Sequence, residues 1–295
     1  MFERLQDGDT VGIIAPASPV SRDRIAPAVS WLEACGYKVK VGDSVGQQDR
    51  FLAGTDEARA QDLMQMFIDD SVRAVLIARG GYGSSRVLDW VDWSTISGNP
   101  KPFVGFSDTT AFQLAMYAQS GMPSLTGFAL GLDAADGPPN PGLDRDLNLA
   151  LREGRFEPVN GLTHTGRLKG TLIGGCLSLL THLLGTRFFP NLDGRLLLLE
   201  DVGEKPYRVD RMLTQLLLTN VLESAGGVVI GTFHRCVGED EDGTIDEVLE
   251  DFGRRCPCPV ITGMPYGHGP TRRLLPTGVG VDVREGTMTF EEISV

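Results

Sequence analysis

The chain has 295 residues, 41% of them hydrophobic and 22% charged, proportions that suit a globular protein able to bury a core without disulfide staples. A net charge of -12 and the lack of any Lys/Arg run leave no basic footprint, so neither nucleic acid nor a membrane surface is expected as a partner. Five cysteines at irregular spacings fit a reduced cytoplasm, no basic-then-apolar leader is read at the N-terminus, and no apolar run approaches the roughly 20 residues of a membrane helix.

In chain order, Thr10 to Ala15 reads as an apolar strand. A helix follows, capped by Ser21, with Ile25, Val29 and Leu32 on one face and Gly36 as its stop. Tyr37 to Val41 is the next strand, and Asp56 to Ile68 a second helix with Ala60, Leu63, Met64 and Phe67 at helical spacing. Ala74 to Ala78 is a continuous apolar run, as in strands buried on both faces. After a glycine-rich loop come a helix (about Ser85 to Val91), a strand at Phe103 to Gly105, a helix from about Thr109 to Gln119 and a strand at Pro123 to Thr126. This alternation predicts an α/β domain with a Rossmann-like parallel sheet.

Residues 133 to 142, rich in Pro, Gly and Asp, read as a loop leaving that domain, followed by a short helix at Leu143 to Leu151. The remainder is strand-rich: Gly161 to Ile173, Arg195 to Glu200, Val228 to Thr232, Val260 to Thr262, Gly278 to Val283 and Thr287 to Phe290, with helices at Leu177 to Leu184 and Val209 to Leu218. The expected division is an N-terminal domain over 1–140, a linker over 141–165 and a smaller β-rich, barrel-like domain over 166–295.

Gly105-Phe106-Ser107-Asp108-Thr109 lies at a strand-to-helix junction. A tight turn there pushes the middle side chain out over the sheet edge, with the following N–H groups facing what it attacks. Ser107 is therefore the candidate nucleophile; the competing reading is that it merely caps the helix. A serine hydroxyl needs a base. Of the four histidines, His182 sits in an apolar helical stretch and reads as core, while His164 and His234 have no distinctive context. His268 is flanked by glycines that let an imidazole approach another group closely. Glu200 ends the apolar run 196–199 and is the candidate orienter of that imidazole, with Asp201 and Glu204 as rivals.

The loop Arg79-Gly80-Gly81-Tyr82-Gly83-Ser84-Ser85 admits three readings: a phosphate cradle, a contributor to an oxyanion hole beside the Asp108 N–H, or a tight turn. The dinucleotide pattern fails at Arg86, where Gly or Ala is needed, and no phosphate-loop lysine motif occurs. Cys256-Pro-Cys258 lacks zinc spacing, and the acidic stretch 238–243 fails as a calcium loop at its first and last ligand positions. No metal and no cofactor is expected.

Several segments together resemble the LD-carboxypeptidases, serine peptidases that trim murein peptides: residues 12–18, 78–83, 105–111, 170–175, 199–211 and Gly267-His268-Gly269. They span nearly the whole chain. The resemblance implies a Ser-Glu-His triad at Ser107, Glu200 and His268, and oxyanion donors at the backbone N–H groups of Asp108 and the Gly81 region. It also implies a Rossmann-like N-terminal domain, a β-rich C-terminal domain with the site between them, and a homodimer. The expected reaction is release of D-Ala from a murein tetrapeptide, with Arg79 as the guess for the group gripping the terminal carboxylate. A near relative class cleaves peptide-nucleotide antibiotics for self-immunity, and a non-catalytic peptide or nucleotide binder is the reading from another class. Two departures stand out: Cys176 where the family usually carries Asn, and Phe112-Gln113 in place of a common Leu-His.

Overall fold

The computed structural model describes residues 3–239 and 243–293. The middle of the acidic stretch, 240–242, lies outside the described residues. The first part of the chain runs β1 (Thr10–Ile14), α1 (Arg22–Ala34), β2 (Lys38–Val41), α2 (Asp56–Ile68), β3 (Val72–Ile77), α3 (Trp93–Gly98), β4 (Phe103–Gly105), α4 (Thr110–Ser120), β5 (Ser124–Thr126), α5 (Leu130–Asp133) and α6 (Pro141–Asn148). The rest runs β6 (Arg167–Cys176), α7 (Leu177–Leu183), β7 (Leu196–Val202), α8 (Pro206–Leu218), β8 (Gly227–His234), α9 (Ile245–Arg255), β9 (Val260–Ile261), β10 (Leu275–Thr277), β11 (Val279–Arg284) and β12 (Thr287–Phe290).

These strands form two six-stranded sheets. The first has the order β10-β5-β4-β3-β1-β2 and is parallel except for β10, which pairs antiparallel to β5. The apolar run of β3 is its buried centre, with Ala74 through Ile77 fully shielded, as expected for a strand covered by helices on both faces. The second sheet, order β12-β11-β6-β7-β8-β9, is parallel from β6 to β9 and antiparallel from β6 to β12, and it curls. Leu196 to Leu199 of β7 form its core.

Local signals account for the helix starts. Ser21 accepts from the Arg24 N–H at 3.2 Å and Thr55 from the Ala58 N–H at 3.1 Å, each satisfying a donor that the first helical turn leaves free. Helix α9, which the periodicity reading passes over, opens on a capping box: Thr244 accepts from the Glu247 N–H at 3.2 Å, and Glu247 accepts from the Thr244 N–H at 2.7 Å. Its apolar residues Ile245, Val248, Leu249 and Phe252 recur at helical spacing and pack against the core, with Phe252 buried.

Other differences have local causes. Ser84–Trp90 is a 3-10 segment, and the expected strand at 161–173 begins only at Arg167. His182 is exposed, contrary to its core reading: α7 buries Leu177, Leu180 and Leu183, a three-residue spacing that turns position 182 to solvent. Strand β10 was not foreseen, and it brings the chain briefly back to the first sheet before β11 and β12 return to the second. Among the described residues, no helix is long and apolar enough to cross a membrane.

Candidate active site

One residue, Phe106, separates β4 from Ser107, which opens a one-turn 3-10 segment, Ser107–Thr109, ahead of α4. Its φ is +63°, a left-handed conformation that costs a non-glycine residue energy and that clusters at functional turns. Thr109 holds the turn: its hydroxyl accepts from the Phe106 N–H at 2.8 Å and donates to the Phe106 carbonyl at 3.0 Å. The Ser107 side chain makes no capping bond to the helix, so the cap reading does not describe it. Its hydroxyl instead points at His268, with Oγ 3.0 Å from Nε2.

The other imidazole nitrogen, Nδ1, lies 2.8 Å from Glu200 Oε2, and the same oxygen accepts the His268 backbone N–H at 3.2 Å. A neutral imidazole protonated at Nδ1 satisfies both contacts, leaving the Nε2 lone pair to accept from the Ser107 hydroxyl. Glu200 is fully buried, and its Oε1 has no partner among the described residues. Burial pushes its carboxyl above the ordinary glutamate range, opposed by the hydrogen bond and charge of His268.

The backbone explains how these groups meet. The β7–β8 ladder shifts register between Leu199 and Asp201, the position of Glu200. That irregularity frees the Thr232 N–H of β8 to bond the Tyr266 carbonyl at 2.7 Å, docking the histidine-bearing loop beside Glu200. Gly267 sits at φ +129°, and a Cβ there would lie 2.8 Å from the Thr232 carbonyl and 3.0 Å from Glu200 Oε2. The rivals of Glu200 are otherwise engaged. Asp201 accepts the Ser178 and Val202 N–H groups, each at 2.8 Å, and Glu204 pairs with Arg208 at 3.5 Å.

The glycine-rich loop closes over the nucleophile. A Cβ on Gly80 would come within 3.0 Å of the Ser107 Cβ and 3.4 Å of the Asp108 backbone nitrogen, so any larger residue there would force the loop or the turn to give by a few tenths of an ångström. Ser18 fastens the loop, donating its N–H to the Gly80 carbonyl at 3.2 Å and accepting the Tyr82 N–H on its hydroxyl at 3.0 Å. Asp108 is buried and accepts the Ser84 N–H at 2.8 Å; burial raises its carboxyl. A cavity of about 650 Å³ opens here, lined by Ser107, His268, Gly80, Gly81, Arg24 and Arg79 among others. Arg79 donates to the Pro19 carbonyl at 3.0 Å.

Residues outside the sequence reading support this arrangement. Arg59 is fully buried and donates to the Gly83 carbonyl at 2.8 Å and to the Pro16 carbonyl and Asp56. It ties α2 to the glycine-rich loop. The signal was its place four residues before Leu63, on the buried face of a helix. Cys176 stands opposite Glu200 in the β6–β7 register, is buried, and has its thiol pushed well up by desolvation. Phe112 packs against Phe103 at 4.9 Å, while Gln113 donates to the Leu125 carbonyl and the Ser124 hydroxyl at 2.9 Å each, so both serve the packing beneath the turn.

Comparison with known proteins places the chain. The family models described as LD-carboxypeptidase N-terminal domain and LD-carboxypeptidase C-terminal domain match residues 11–127 and 169–283. The chain belongs to the LD-carboxypeptidase family. Among relatives, it is 38% identical to a probable murein peptide carboxypeptidase of Bacillus subtilis, over 97% of this chain and 93% of that protein. The solved muramoyltetrapeptide carboxypeptidase of Oxalobacter formigenes superposes with a TM-score of 0.87 at 29% identity, covering 95% of this chain and 97% of that one. A more distant relative is the microcin C7 self-immunity protein of Escherichia coli, 26% identical over 92% of this chain and 89% of that protein.

Proposed function

We propose that this protein is a serine LD-carboxypeptidase that hydrolyses the amide joining an L-centre to a terminal D-amino acid, releasing D-Ala from murein tetrapeptides in cell-wall recycling. The observation that carries the reading is the unbroken hydrogen-bonded chain from Ser107 Oγ through His268 to Glu200, opening into the cavity. The murein-directed relatives supply the substrate class.

In this mechanism Ser107 Oγ attacks the scissile carbonyl carbon while Nε2 of His268 takes the hydroxyl proton. Glu200 holds the imidazole in the Nδ1–H tautomer and stabilises the imidazolium that forms. The oxyanion is met by the backbone N–H of Asp108 and by the Gly81 region; one such donor is typically worth about 3 kcal/mol of barrier. Collapse expels the amine of D-Ala, which receives the proton from Nε2. Water, deprotonated by the same imidazole, then cleaves the acyl ester and restores Ser107. Arg79, which lines the cavity, is the proposed grip for the terminal carboxylate. The protein works as a homodimer in the cytoplasm, a setting compatible with its five free cysteines.

A second reading, cleavage of peptide-nucleotide antibiotics, is favoured by the microcin self-immunity relative. The two separate on a substrate panel: murein tetrapeptide, the matching tripeptide and a peptidyl nucleotide, with free D-Ala and free nucleotide measured. We expect D-Ala from the tetrapeptide alone, and none from Ser107→Ala. Undiminished turnover by that variant would remove Ser107 from the reaction, and retained tetrapeptide binding without any turnover by the parent protein would favour a binding module.

A further inference from the structure

Phe106, the residue before the nucleophile, is fully buried, and three residues of one loop, Tyr266, His268 and Arg272, meet its ring. Tyr266 meets it edge-on, with centroids 5.9 Å apart and planes at 83°. The His268 imidazole lies 4.4 Å away at 34°. The guanidinium carbon of Arg272 stands 5.1 Å from the ring centroid. The position of the imidazole relative to Ser107 is thus referred, through one aromatic ring, to the residue bonded to Ser107 itself.

Arg272 fastens that loop. Its Nε donates to the Gly127 carbonyl at 3.1 Å, Nη1 reaches the Gly269 carbonyl at 3.5 Å, and Nη2 pairs with Asp133. Both side chains are nearly out of water, Arg272 at 9% exposure and Asp133 at 5%. The other Asp133 oxygen accepts the Ala129 N–H at 2.9 Å, and Ala129 lines the cavity. A desolvated ion pair is an expensive way to stabilise a fold, since apolar residues of similar volume often serve as well. Here its planar fork spans Gly127 and Asp133, which follow β5, and Gly269, next to the histidine.

We propose that Arg272, held by Asp133, is a positioning residue for the hydrolysis: it presses the 267–271 loop onto Phe106 and so keeps His268 Nε2 within reach of Ser107 Oγ. The inference rests on the catalytic reading given above. Because the arginine touches His268 only through Phe106 and the backbone, its loss should disturb the geometry of proton transfer and leave the ground-state grip on substrate nearly intact.

The experiment compares the parent protein with Ser107→Ala, Arg272→Lys and Arg272→Ala on murein tetrapeptide, well below each thermal midpoint. For Arg272→Ala, kcat should fall roughly 100-fold, the scale of an ångström-sized misplacement, with KM within about two-fold. Arg272→Lys, which keeps the charge and loses the fork, should fall between, and millimolar methylguanidinium should restore part of the Arg272→Ala activity. A crystal structure of Arg272→Ala should show Nε2 moved beyond hydrogen-bond reach of Oγ. A lower melting temperature with parental kcat, or an unmoved imidazole, would overturn the proposal. Were the parent itself to release no D-Ala, the hydrolytic reading would fail instead, and the imidazole position in the variant would still judge the role of Arg272. If Arg272→Ala did not fold, the kcat and KM of Arg272→Lys would decide.

Discussion

A carboxylate with no exposure and one unpaired oxygen is an unfavourable thing to bury, and Glu200 is such a group. Burial raises its pKa in the folded protein, so the folded state holds its proton more tightly than the unfolded chain does. Any stability that goes with that proton is present at acid pH and is lost as pH rises through the raised value. Glu200→Gln keeps an acceptor for Nδ1–H and removes the charge. The variant should therefore match the parent in urea midpoint near pH 4 and exceed it near pH 8, while kcat falls roughly 1,000-fold or more. Urea titrations at the two pH values, beside steady-state rates, check this. A variant less stable than the parent at pH 8 would contradict the cost assigned to the buried charge.

Among elements, the turn between β4 and α4 and the glycine-rich loop behave as one device. The first presents Ser107 at positive φ, and the second lies so near that a methyl group on Gly80 would meet the Ser107 Cβ at 3.0 Å. Gly80→Ala should displace one against the other. Expected is a drop of roughly 100-fold in kcat/KM with an unchanged far-UV circular dichroism spectrum. Full activity in Gly80→Ala would mean that the contact is not needed. The sharp turn was readable from Gly105-Phe106-Ser107-Asp108-Thr109, because strand and helix patterns abut there with no room for a loop. The register shift of β7 against β8 was not readable, since it belongs to a pairing between strands distant in sequence.

At the scale of the molecule, residues 272–277 lock the two sheets together. Arg273 pairs with the buried Asp146 of α6 at 2.6 and 2.9 Å, Asp146 also accepts the Leu274 N–H at 3.2 Å, and β10 then completes the edge of the first sheet. Asp146→Ala leaves Arg273 unpaired and a backbone donor unsatisfied. Breaking such a pair costs about 3 kcal/mol, a fall in melting temperature of roughly 5 °C for a chain of this size. Differential scanning calorimetry measures it, and a shift below about 2 °C would show that the crossing contributes little.

The amino-acid sequence by itself determined most of the element order, apart from α3, α5, α9 and β10, and the parallel character of β1 to β5, because hydrophobic period and caps are local properties, and it offered Ser107, Glu200 and His268 as candidates, with Asp201 and Glu204 as rivals of Glu200. It did not determine that Ser107, Glu200 and His268 touch. That was decided by a bulge that aims Glu200, by a returning strand that brings the loop of His268 over the first sheet, and by Arg59, Phe106 and Arg272, whose roles rest on contacts between segments far apart along the chain. Side chains read as core or loop in isolation acquire such roles only when distant backbone closes around them, and no local period records that closure.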